Sequence, residues 1–352
     1  MKWLSAGNLD STFVGRACAL GRGQALAVGT IGKYAPDIRA ASFTWQPAKR
    51  IWEDAAPPGT VIAPTPGALV GLKDGRAACI GGRGAGRPRP TTLGTARAFD
   101  PNTGSWRELS SLVEAREYFA IGIFPDGRVM AIGGSGQDQI KMIASTEIYD
   151  PSLDSWQVAP ALPEPRREHQ AVCLAEGKIL VAGGLSPTVG RDQDSGRATF
   201  LFDPISSSWT VCGQLGQARK FHSMIALGDG RAIVIGGWKG RAGALDSIEL
   251  FDPATQQWSL AGVLLQRRCE SAAALLPDGR VLISGGRADD DGQVFIFGST
   301  EIWDPETGIS TKGPTMRSPR RAHDLLVLPD GNMLAVGGSF EEVRETELLS
   351  LS

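Results

Sequence analysis

The chain has 352 residues, 45 of them Gly and 22 Pro, with 42% hydrophobic residues, which suffices for one large core or one large repeat array. A formal net charge of -2 and a sequence pI of 6.0 exclude a global basic field of the kind that draws in nucleic acid or anionic membrane. No window approaches the ~18 apolar residues of a membrane span. The opening MKWLSAGNLDSTFVG carries neither a continuous apolar run nor a small-residue cleavage site, so no signal peptide is read there. Five Cys occur without a C-x-x-C pair, and Cys18, Cys79 and Cys173 stand inside apolar runs. They read as reduced, buried small hydrophobes, and the protein is expected to be cytoplasmic and monomeric.

Taken in chain order, one pattern recurs. MKWLSAGNL (1–9) reads as a strand carrying Trp3. GRGQALAVGT, ending at Thr30, is a degenerate first copy of a hairpin that then returns six times. KDGRAACIGG ends at Gly82, PDGRVMAIGG at Gly134, AEGKILVAGG at Gly184, GDGRAIVIGG at Gly237, PDGRVLISGG at Gly286 and PDGNMLAVGG at Gly338. Successive ends are 52, 52, 50, 53, 49 and 52 residues apart. After each Gly pair comes an aromatic-Asp-Pro turn: Phe99-Asp100-Pro101, Tyr149-Asp150-Pro151, Phe202-Asp203-Pro204, Phe251-Asp252-Pro253 and Trp303-Asp304-Pro305, with Trp45-Gln46-Pro47 as the variant in the first copy. A Trp follows in five copies, as Trp52, Trp106, Trp156, Trp209 and Trp258.

Each period predicts four short strands. Asp-Gly supplies the φ > 0 residues of a tight turn between the first two. The Gly pair ends the second where the backbone turns sharply. Asp-Pro closes the third, because Pro cannot donate to a ladder, and the Trp sits on the fourth. A four-stranded period of ~50 residues is a propeller blade. Seven are expected, at about 10–57, 58–111, 112–162, 163–215, 216–264, 265–315 and 316–352. The last period stops at TELLSLS without its Trp strand, and residues 1–9 match that missing strand. The N-terminal strand should therefore complete the last blade and leave no open edge.

The Asp-Gly, Gly-Gly, aromatic-Asp-Pro and Trp landmarks resemble the kelch family over essentially the whole chain. The resemblance implies an all-β, seven-bladed β-propeller with four-stranded kelch blades. Its functional range is broad: protein-interaction modules, a copper-radical sugar oxidase, sialic acid mutarotases and plant specifier proteins. Function must therefore come from the site.

Kelch propellers that this chain resembles bind ligands where the chain enters each first strand and where it leaves the Gly pair. Counting back from the hairpin Gly aligns these positions. Eight residues before it stand Gly15, Gly67, Phe119, His169, His222, Ser271 and His323, which gathers every His of the chain into one column. One residue earlier stand Val14, Pro66, Tyr118, Glu168, Phe221, Glu270 and Ala322. Eleven before it stand Thr12, Pro64, Arg116, Arg166, Arg219, Arg268 and Arg320. Ile31, Arg83, Ser135, Leu185, Trp238, Arg287 and Ser339 follow the Gly pair.

Residues that repeat at one column read first as scaffold. The five Arg are expected to pair with Glu147, Glu249, Glu301 and Glu347 of the third strands, and the His column resembles an R-x-x-H pattern of bacterial kelch chains. Positions that break the repeat are the better site candidates: Arg83, Tyr118, Glu168, Phe221, Trp238, Glu270 and Arg287. No cofactor is expected. A metal could be held only by His169 and His222 with Glu168 or Glu270, since His323 lies further round the ring. The Glu-x3-Asp-x3-His iron pattern of the specifier proteins is absent, and Tyr34, Tyr118 and Tyr149 with strand-bound Cys do not match the copper oxidase. GRGAGRPRP (82–90) is no phosphate loop, because Pro88 and Pro90 prevent a following helix. Its Arg83, Arg87 and Arg89 could instead grip an acidic partner. Asp289, Asp290 and Asp291 are consecutive and read as a solvated tip rather than a Ca²⁺ loop.

The expectation is a recognition module that binds a protein, peptide or small carboxylate-bearing ligand at the funnel mouth, with neither nucleic acid nor membrane as partner. Its ligand-binding set is Arg83, Tyr118, Glu168, His169, Phe221, His222, Trp238, Glu270, Arg287 and His323. The alternative is a small-molecule enzyme of mutarotase, isomerase or cyclase type, using Glu168 or Glu270 with His169 or His222 as acid–base groups.

Overall fold

The computed structural model describes residues 1–9, 13–31, 39–59, 67–84, 91–136, 141–187, 195–290, 292–338 and 345–351. They form seven four-stranded antiparallel sheets, the blades of a β-propeller. The innermost strands of successive blades lie side by side, and that of blade 7, Asp324–Val327, meets that of blade 1, Val14–Ala19. The second strands form the core. Val129–Ile132, Ile179–Ala182, Ala232–Ile235 and Val281–Ser284 are wholly buried, because each is central in its sheet and covered on both faces by neighbouring blades. Such strands read as continuous apolar runs rather than alternating ones. No described helix is long and apolar enough to cross a membrane.

The ring closes as the termini suggested. Lys2–Asn8 pairs antiparallel with Glu345–Ser350, with Trp3 opposite Leu349 and a register shift between Ser5 and Asn8. Gly7 lies in that shift at φ 81°, where a Cβ would come within 2.9 Å of the Arg50 carbonyl. Blade 1 holds the added strand through Trp45 Nε1, which donates to the Ala6 carbonyl at 3.1 Å.

The landmark Trp residues prove to be ties between blades. Trp106, Trp156 and Trp209 donate from Nε1 to the carbonyls of Ala56, Ser110 and Pro160 in the preceding blades, at 2.7 to 2.9 Å. Trp52 reaches Thr346 and Trp3 reaches Pro314, across the closure and into blade 6. Blade 6 has its Trp on the third strand instead, as Trp303, paired with Ser310 on the fourth. Ser310 takes over the tie by donating to the Val263 carbonyl at 2.7 Å.

The Asp-Gly turn differs from the expected two-residue form. In blade 2, Leu72 N–H donates to Arg76 O and Gly75 N–H to Leu72 O, a three-residue loop. Only the Gly takes positive φ, 88° at Gly75, while Asp74 accepts from the Arg76 amide and guanidinium. This is the type I turn followed by a left-handed residue, the next most common hairpin. Blade 6 also carries an unexpected insertion. Arg287–Asp290 and Gln293–Ile296 form a separate two-stranded hairpin where a loop was read.

Candidate functional site

The site rests on a buried hub in each regular blade. Arg116, Arg219, Arg268 and Arg320 are all but inaccessible to solvent, and their guanidinium groups meet Glu147, Glu249, Glu301 and Glu347. Each carboxylate also accepts two consecutive backbone amides of the incoming turn, as Glu147 does from Val113 and Glu114. Each Arg Nη1 donates to the carbonyl of the first Gly of the pair, for instance Gly133 at 3.0 Å and Gly285 at 2.6 Å. Charge, lone pairs and turn amides are thus satisfied together, which a buried ion pair requires. Blade 4 departs: Phe200 stands where the Glu would, Arg166 lies over its ring at 4.4 Å, and its ionic partner is Glu164 at 3.4 Å. Burial draws the Arg166 guanidinium down to about 10, still cationic at neutral pH.

The Gly pair locks one blade to the next. Gly82, Gly134, Gly184, Gly237 and Gly286 donate their N–H to the carbonyls of Arg116, Arg166, Arg219, Arg268 and Arg320 in the following blade, at 2.8 to 2.9 Å. The first Gly of the pair in blades 2 to 6 has no room for a side chain: a Cβ on Gly236 would lie 2.4 Å from the Arg268 carbonyl.

The three His belong to this seam rather than to an open funnel. His169, His222 and His323 are 3%, 3% and 5% exposed. Their Cε1 atoms pack against Gly133, Gly183 and Gly285 of the preceding blade, and Phe119 packs likewise against Gly81. His323 shares a hydrogen bond of 2.8 Å with Ser284 Oγ. His169 and His222 face the carbonyls of Ile132 and Ala182 without reaching ordinary hydrogen-bond geometry. Burial, reinforced by the neighbouring Arg219 and Arg320, lowers His222 and His323 to about 3, and burial reinforced by Arg166 holds His169 well below its usual value.

One residue earlier the chain makes a turn that the sequence did not reveal. Tyr118, Glu168, Phe221, Glu270 and Ala322 all take left-handed φ, between 50° and 58°. Their backbones join around the channel: Glu168 N–H donates to Tyr118 O, Glu270 N–H to Phe221 O and Ala322 N–H to Glu270 O. In blades 3 to 6 the residue before the left-handed one pairs with the one that follows a Gly pair, through the bridges Glu117–Ser135, Arg167–Leu185, Lys220–Trp238 and Cys269–Arg287. The two stretches chosen from the sequence therefore form one face.

Side chains on this face cluster in three groups. Arg83 meets Glu117 bidentately at 2.9 and 3.0 Å and lies over the Tyr118 ring at 5.7 Å. Glu168 sits between Lys220 at 3.4 Å and Arg167 at 3.7 Å, with the Lys220 ammonium over the Phe221 ring at 4.6 Å. Glu270 sits between Arg321 and Arg287, and Arg287 also holds Asp289 at 2.5 Å and lies over Trp238 at 5.3 Å. Sequence reasoning missed Glu117, Arg167, Lys220 and Arg321, and read Asp289 as part of a solvated tip where the structure sets it on Arg287. The first four share the column ten residues before the hairpin Gly, whose blade-to-blade variation was the available signal. Tyr34, Arg87, Arg89 and Asp291 lie outside the described residues, as do Thr12, Pro64, Pro66 and Ser339.

The metal considered at His169 and His222 does not fit. Among the described residues no three His, Cys, Asp or Glu side chains come together as metal ligands. A copper–Tyr–Cys arrangement fits no better. Tyr149 is buried with its hydroxyl on Asp154, and burial raises the thiols of Cys79 and Cys269 to about 12.

No curated protein matches the sequence at a significant level. Among solved structures, a fungal alcohol oxidase of the AA5 family in complex with copper superposes with a TM-score of 0.75 at 17% identity, covering 99% of this chain and 76% of that one. The structure of YjhT superposes with a TM-score of 0.58 at 15% identity, over 72% of this chain and 86% of that one. At these identities the likeness is one of fold. A family profile described as the KLHDC2/KLHL20/DRC7 Kelch-repeats domain matches residues 126–338. With seven four-stranded blades closed by the N-terminal strand, and that profile over more than half its length, the chain belongs to the kelch-repeat family.

Proposed function

We propose that the channel-mouth face is a recognition surface for an acidic peptide or a small carboxylate-bearing ligand. The observation that carries this reading is the set of three cation-over-ring stacks, Arg83 on Tyr118, Lys220 on Phe221 and Arg287 on Trp238. All three are built from positions that break the repeat. Aromatic and Arg side chains are the usual anchors of binding surfaces. Glu117 holds Arg83 by Nε and Nη2, and Asp289 holds Arg287 by Nη1. Each guanidinium is thereby fixed in place and keeps another nitrogen for a ligand carboxylate, so less freedom is lost on binding.

The enzyme alternative requires a His that exchanges protons near neutral pH. His222 and His323 titrate near 3 and, like His169, are buried in the seams. Glu168 and Glu270 are each clasped by two cations rather than set beside a reactive group. Both facts favour binding over acid–base turnover. The test is selection of binders from a displayed random-peptide library against the whole chain. Acidic peptides should emerge, and Arg83→Ala and Trp238→Ala should each weaken them by about tenfold or more. Binders without acidic residues, or unchanged affinity in both variants, would overturn the reading.

A further inference from the structure

A concavity lies on the closure seam between blades 7 and 1, at the Asp-Gly turns rather than at the Gly pairs. A groove of about 280 Å³ is lined there by Trp45, Pro47, Leu328, Pro329 and Leu348, with Arg22 and Arg50 contributing to its walls. Two departures from the repeat create it. In blades 2, 3, 5 and 6 the turn carries an Asp that pairs with an Arg two residues on, as Asp74 with Arg76 and Asp278 with Arg280. In blade 7 that Arg is replaced by the shorter Asn332, whose amide takes Asp330 at 2.8 Å. In blade 1 the turn Asp is itself replaced by Arg22, and Gln24 stands where the pairing Arg would.

The exchange changes the local charge. The Asp–Arg pairs in the turns of blades 2, 3, 5 and 6 are each neutral. At this seam Arg22 and Arg50 make no ion pair or side-chain hydrogen bond among the described residues, and Asp330 alone offsets them. Arg50 also departs from its column, which holds Gly104, Asp154, Ser207, Gln256 and Gly308 in blades 2 to 6. Two guanidinium groups without an ion-pair partner among the described residues thus line one groove in which Asp330 is the single acid, a donor set suited to a compact organic anion.

We propose that this groove binds a small organic anion: one carboxylate or phosphate group on a compact apolar body, the acid between Arg22 and Arg50 and the body against the prolines and Leu328. Such a ligand touches both blades that close the ring. Its binding stabilises the closed ring by mass action.

The test uses the full chain with benzoate, phenyl phosphate and neutral benzyl alcohol as probes, read by thermal denaturation and by titration calorimetry. Benzoate or phenyl phosphate should bind saturably in the millimolar range and raise the melting temperature, and the stronger of the two identifies the acid recognised. Benzyl alcohol should do neither. Arg22→Asn with Arg50→Asn removes both cations at φ 61° and 53° while keeping a residue that tolerates such φ. This double variant should weaken the anion about tenfold or more. Asn332→Arg should also abolish binding, by filling the groove and restoring the pair with Asp330. Equal effects from benzyl alcohol, unchanged binding in the double Asn variant, or no saturable binding of either anion would overturn the proposal.

Discussion

Five non-glycine residues in left-handed φ mark the channel mouth, and they explain why the His column faces inward to the seam. A left-handed residue reverses the local course of the chain, so the next side chain, His169 or His222, turns toward the preceding blade instead of the channel. Counting along the sequence could align the column but could not show this reversal, since only Gly advertises positive φ. The buried position has a titration consequence. His222 titrates near 3 in the fold against 6.5 for a free His. The unfolded chain therefore binds a proton first as pH falls, and the stability that the neutral ring contributes is present above 6.5 and is lost between 6.5 and 3. The slope is on the order of 1 kcal/mol per pH unit for one such His. Phe119 fills the equivalent place in blade 3. His222→Phe should accordingly flatten the acid limb of a urea-denaturation series by about one proton, and an unchanged slope would show that the ring is protonated in the folded state.

The blade is held as a unit by its Arg–Glu hub, which ties the incoming turn, the Gly pair and the third strand together. Its existence was legible, because Arg recurs eleven residues before the hairpin Gly and Glu147, Glu249 and Glu301 each stand three residues before the Asp of the aromatic-Asp-Pro turn. The replacement in blade 4 was visible only as a missing Glu; that Phe200 would carry Arg166 on its ring depends on packing that no spacing encodes. Glu301 is 2% exposed and accepts from Arg268 and from the amides of Leu265 and Gln266. Glu301→Ala leaves a buried cation and two amides without their acceptor. It should cost about 3–5 kcal/mol in equilibrium unfolding, whereas a loss below about 1 kcal/mol would mean that water replaces the carboxylate.

Seven repetitions made the architecture of the whole molecule readable, including the exchange of an N-terminal strand for the missing outer strand of blade 7. Repetition hides function for the same reason that it reveals fold, since a site lies where the repeat fails. Arg83, Tyr118, Trp238 and Arg287 were legible as such failures. Glu117, Lys220 and Arg321, the partners of Arg83, Glu168 and Glu270, were not, because those contacts run between blades, 34 to 52 residues apart in sequence. The face they form is the central functional claim, and hydrogen exchange with and without a selected acidic peptide tests it most directly. Protection should concentrate at 117–119, 167–169, 220–222 and 269–271 and at the residues following the Gly pairs, Arg83, Trp238 and Arg287. Protection confined to the outer strands or to the Asp-Gly turns, with the channel mouth unchanged, would contradict it.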